Sequence, residues 1–91
     1  MAITYSKNLQ FSRLIKADGT LREFNFRKHS DPNGGFQFSV DVSDTRNNRI
    51  IFKMHQDDNH WRIVQTSLPE WVTTNEEILH ELIQEELQRA S

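Results

Sequence analysis

The chain has no cysteine among its 91 residues, and only three glycines and two prolines. The missing thiols exclude a disulfide scaffold, an iron–sulfur centre and a thiolate zinc site, and they suit a reducing, cytoplasmic setting. Gly34 and Gly35 stand ahead of a strand pattern rather than a helix, so they do not form a phosphate cradle. Long apolar runs are missing too. The first twenty residues hold no secretion-signal core, and no later segment is apolar enough to span a bilayer. The expectation is an intact, soluble, cytoplasmic protein that does not contact membranes.

A chain of this length supports one domain, 1–91, which buries about 60–65% of its unfolded surface. That leaves little room for a large cofactor, and none is expected. The hydrophobic fraction is only 35%, but six Phe, two Trp and one Tyr are present. Each such ring can bury about 150–250 Å². A folded domain is expected, not a disordered segment.

Alternation of apolar and polar residues dominates up to residue 65. It is cleanest at Phe36-Gln37-Phe38-Ser39-Val40-Asp41-Val42. Leu9–Lys16, Leu21–Lys28, Ile50–Met54 and Trp61–Ile63 repeat the pattern, which makes about five strands with one apolar face. Asp18-Gly19 and Asp58-Asn59 suit two-residue hairpins, because these residue types accept positive φ. The first turn pairs Ala17 with Thr20 and Phe11 with Phe26. The second pairs Met54 with Ile63. Arg46-Asn47-Asn48 suits a three-residue loop with Asn48 left-handed, which sets Val42 against Phe52. The loop His29–Gly35 leaves the register of strands two and three open.

Residues 66–73 read as a crossing loop and 74–90 as a helix, with Thr73 or Thr74 as N-cap and Glu76 or Glu77 completing a capping box. Ile78, Leu79, Leu82, Ile83 and Leu87 form its apolar stripe. Residues 1–8 are an arm, or a short extra strand around Ile3 and Tyr5. The fold class is α+β: an antiparallel meander over 9–65 with one C-terminal helix on its apolar face. The expected core is Phe11, Phe24, Phe26, Phe36, Phe38, Val40, Val42, Phe52, Met54, Trp61, Ile63, Ile78, Leu79, Leu82 and Ile83. Trp71 is expected to plug one end of it.

The net charge of −2 hides an asymmetry: residues 1–66 sum to +3 and residues 67–91 to −5. The simplest expectation is that an acidic helix neutralises a basic sheet within the chain.

Few residues suggest chemistry. His55, Asp57 and His60 come together across the last hairpin and are weak metal-ligand candidates, although Arg62 falls opposite His55. Glu23 and Asp41 lie opposite each other in one register and would form a carboxylate pair. His29 and His80 stand alone, and His80 is expected on the helix surface. No catalytic constellation emerges, no small-molecule substrate is evident, and the protein is not expected to be an enzyme.

The sheet face away from the helix is expected to be open, with Lys16, Arg27, Lys53 and Arg62 as the candidate interaction residues and Leu14, Ile51 and Val64 as scattered aliphatics. The favoured function is a non-catalytic protein-interaction domain that binds an unknown partner or itself, in one form as a homodimer. Single-stranded nucleic-acid binding through the same face is the alternative, and metal binding the second alternative. A meander followed by one helix resembles, in arrangement alone, the PUR and whirly single-stranded nucleic-acid-binding domains, which pair through their helices. That resemblance implies nucleic-acid binding. It comes with no motif residues.

Overall fold

The computed structural model describes residues 9–30, 32 and 34–90, so the extra strand considered at Ile3 and Tyr5 lies outside the described residues. The fold is the expected α+β meander. Strands β1 (Gln10–Ala17), β2 (Thr20–Ser30), β3 (Phe36–Ser43), β4 (Arg49–Asp57) and β5 (His60–Ile63) form one curled antiparallel sheet in sequence order. A four-residue helix α1 (Glu70–Thr73) and the long helix α2 (Glu76–Ala90) follow.

The two tight turns behave as their residues dictate. Asp18 and Gly19 have φ of 56° and 82°, and Asp58 and Asn59 have 58° and 68°. Both central residues are left-handed in each turn, which matches the right-handed twist of the flanking strands. The pairings follow: Ala17 with Thr20, Phe11 with Phe26, Met54 with Ile63.

The β3–β4 loop differs from expectation. Ser43 pairs with Arg49, and Val40, not Val42, lies opposite Phe52. Asp44 lengthens the loop by gathering its amides. Its carboxylate accepts from Asn48 N at 2.8 Å and Arg46 N at 2.9 Å, and Asn47, not Asn48, takes positive φ. The Asn48 amide, followed by that of Arg46, holds the Asp44 carboxyl below its ordinary value. The register is displaced by two residues, one full side-chain period, so the apolar face is preserved. The open β2–β3 register resolves with Ser30 opposite Phe36 and Asn25 opposite Asp41.

The core gathers Phe24, Phe26, Phe38, Val40, Val42, Phe52, Met54 and Trp61 from the sheet with Val72, Leu79 and Ile83 from the helices, all essentially inaccessible. Ile15 and Ala17 complete it at the β1 end. Two expected members do not belong. Phe36 is 36% exposed, because it begins β3 at the sheet rim, where it tilts against Trp61. Ile78 is 44% exposed, because α2 turns Asn75, Leu79 and Ile83 inward and leaves Ile78 on the flank. Phe11, Ile63 and Leu82 are half-buried against the core. Trp71 packs there too, under the Arg22 guanidinium at 4.9 Å. Arg22 itself is buried and donates to the carbonyls of Ala17 and Ser43.

The N-terminus of α2 is not capped by threonine. Asn75 provides the carbonyl that receives Leu79 N at 2.9 Å, and its side chain donates to Trp71 O at 2.7 Å, fixing α2 to α1. Thr73 instead donates to Glu70 O, within α1.

Candidate functional site

Two places concentrate polar side chains. The first is the join between α2 and β5. Val64 N bonds Lys53 O across the hairpin, so by alternation the amides of Ile63 and Trp61 point to the free edge of the sheet. An exposed row of this kind invites pairing with another chain. Here α2 supplies the acceptors: Glu76 Oε2 takes Ile63 N–H at 2.7 Å, and His80 Nδ1 takes Trp61 N–H at 3.0 Å. His80 is only 8% exposed, so the expectation of a surface histidine is overturned. Its ring stacks on His60 with centroids 3.9 Å apart and planes 9° from parallel. His60 Nε2 bonds Glu77 Oε1 at 2.9 Å, which holds the Glu77 carboxyl below its ordinary value.

The candidate metal ligands are separated by these contacts. His55 bonds Gln37 at 2.7 Å, Asp57 lies 3.8 Å from Arg62, and His60 turns to the helix. Arg62 does lie opposite His55. His60, Glu77 and His80 form a new group, with one ligand atom each within 4.8 Å of the others. Its geometry suits an ion poorly. Ligand lone pairs lie in the imidazole planes, and parallel rings cannot converge on one centre. His80 Nδ1 accepts an N–H, so the neutral ring carries its proton on Nε2, the nitrogen left for a metal.

The second place is the open face of the curled sheet. A groove of about 780 Å³ runs over it, lined by Gln10, Phe11, Ser12, Asn25, Phe26, Arg27, His29, Ser39, Asp41, Arg49 and Ile51. Its floor is ordered by side-chain bonds between neighbouring strands. Ser12 donates to Asn25 at 2.6 Å, Asn25 donates to Asp41 at 3.0 Å, and Arg49 lies 3.3 Å from Asp41 on its other oxygen. His29 bonds the Ser39 hydroxyl at 2.7 Å. Asp41 therefore faces Asn25 and Arg49, and Glu23 and Asp41 are not direct partners, because the β2–β3 register puts Asn25 opposite Asp41.

In the next row, Arg27, Ser39 and Lys53 are direct partners across β2, β3 and β4. Neither Arg27 nor Lys53 has a carboxylate partner among the described residues. Of the four candidate interaction residues, these two stand together. Lys16 is at the far end of β1, and Arg62 is engaged by Asp57. Leu14, Ile51 and Val64 are exposed on the same face, as expected. Arg49 and His29 were not foreseen. Both follow from strand parity once the β2–β3 and β3–β4 registers are known.

No protein-family model, curated protein or solved structure matches the chain. Among the described residues, no helix is long and apolar enough to cross a membrane.

Proposed function

We propose that this chain is a non-catalytic protein-interaction domain whose open sheet face takes up a negatively charged segment of a partner. The observation that carries this reading is the row Arg27–Ser39–Lys53. Two cations without carboxylate partners among the described residues flank a hydroxyl: Arg27 lines the groove, Lys53 lies next to it across Ser39, and the groove charges Asp41 and Arg49 are already matched to each other. Such cations pair with incoming carboxylates and speed encounter with acidic surfaces. The exposed aliphatics Ile51 and Val64 supply apolar contact beside Lys53, and Leu14 is exposed farther along the same face, opposite Glu23. The experiment is an amide chemical-shift titration with a glutamate-rich peptide at low and at high salt. Shifts at Arg27, Ser39 and Lys53 that fade with salt support the reading. Their absence rejects it.

Single-stranded nucleic acid is the second reading, favoured by the same two cations on a sheet platform. Such platforms stack bases on free aromatic rings. Here Phe26 is buried and Phe11 half-buried, stacked on each other at 4.4 Å, so neither ring is free for a base. A random single-stranded oligonucleotide pool in the same titration separates the two. Salt-sensitive shifts with the oligonucleotide and none with the peptide reverse the order.

A further inference from the structure

Among the described residues, internal pairing uses only part of the charge asymmetry. On α2, Glu76 takes the Ile63 amide, Glu77 bonds His60, and Glu86 pairs with Arg13. Glu81 and Glu85 are exposed and have no partner among the described residues. They are one turn apart on the outward side, where like charges repel. Arg27 and Lys53 face the open side of the sheet, while α2 packs on the apolar side and along β5. The two unmatched sets cannot meet within one copy.

The apolar misfits lie beside the unmatched charges. Ile78, expected in the core, is exposed next to the glutamates. Ile51 is 59% exposed, two residues before Lys53 on the same strand face. Resting on the reading above, we infer that the negatively charged segment is α2 of a second copy of this chain. Glu81 seats on Lys53 and Glu85 on Arg27, which puts Ile78 at the Lys53 end, beside Ile51.

The dimensions agree. Positions four apart on a helix are separated by about 6 Å. Arg27 and Lys53 are two strand spacings apart, about 10 Å, and the reach of their side chains closes the difference. The two surfaces differ, so the contact is heterologous. A single such contact leaves one groove and one helix free for a further copy, so the assembly grows with concentration until it closes on itself.

Sedimentation at low ionic strength tests this. The expected mass rises with concentration above the 10.8 kDa of one chain. It returns to that value in about 0.5 M salt, where screening is short-ranged. Arg27→Glu/Lys53→Glu and Glu81→Lys/Glu85→Lys, both with circular dichroism of the parent, should each remain at one chain. Equal mixing should restore assembly, because each variant carries the charge its partner needs. A wild type that stays at one chain into the millimolar range overturns the inference, as do variants that assemble like it. If the wild type stays at one chain but the glutamate-rich peptide still shifts Arg27 and Lys53, the binding face stands and only the second copy is rejected. If the peptide is silent as well, both readings fall.

Discussion

His80 and Trp61 are joined by a 3.0 Å bond from the backbone amide of one to the ring nitrogen of the other, and this bond closes the free edge of the sheet. The amide is buried and has no water to turn to. His80→Ala should cost about 1–3 kcal/mol in urea denaturation, the price of an orphaned buried donor. A loss under about 0.5 kcal/mol would mean that the edge does not depend on this acceptor. The bond also fixes the tautomer. ¹⁵N spectra at neutral pH should show the His80 proton on Nε2 and a bare Nδ1.

The phase of α2 gives a second expectation. Ile83 is fully buried and Ile78 is on the flank. Ile83→Ala should lose about 2–5 kcal/mol to lost burial and the cavity left behind. Ile78→Ala should stay within about 0.5 kcal/mol, as surface changes do. Equal losses would place the helix in a different rotation.

The hairpin turns predict opposite signs for two substitutions. Asp18 holds φ at 56°, which proline cannot adopt. Asp18→Pro should destabilise by more than about 1 kcal/mol in thermal unfolding. Asn59 holds φ at 68°, where glycine is unstrained, so Asn59→Gly should be neutral or raise stability by up to about 1 kcal/mol.

Glu77 carries a pH expectation. The bond from His60 lowers its carboxyl below the ordinary 4.5. A depressed folded value stabilises above 4.5, and that contribution is lost as pH falls through the folded value. A carboxyl ¹³C titration should therefore place the Glu77 midpoint below 4.5 and return it towards 4.5 in His60→Ala. A wild-type midpoint at or above 4.5 would show that the bond does not persist in solution.

What the sequence revealed and concealed divides by locality. Asp18-Gly19 and Asp58-Asn59 announce their turns because positive φ is a property of the residues themselves, and the two registers follow directly. The β3–β4 register slipped because Asp44, two residues before the expected loop, captured two amides through its side chain. His80 was misjudged because its partner is a strand-edge amide, a demand that arises only after the sheet exists. A signal was available: His80 directly follows Leu79 and precedes Ile83 by three, which places it on the buried stripe. The row Arg27–Ser39–Lys53 needed two registers at once, one of which the sequence left open.

Arg13 and Glu86, paired across the molecule, are separated by 73 positions. Every strand of the sheet, by contrast, pairs with its neighbour in sequence. Hairpins close within microseconds, whereas drawing distant segments together carries an entropic penalty that grows with the intervening length. Assembly can therefore run outward from the turns, strand by strand. The contact between the first strand and the last helix closes a far longer loop than any hairpin here, so it is expected to form after them.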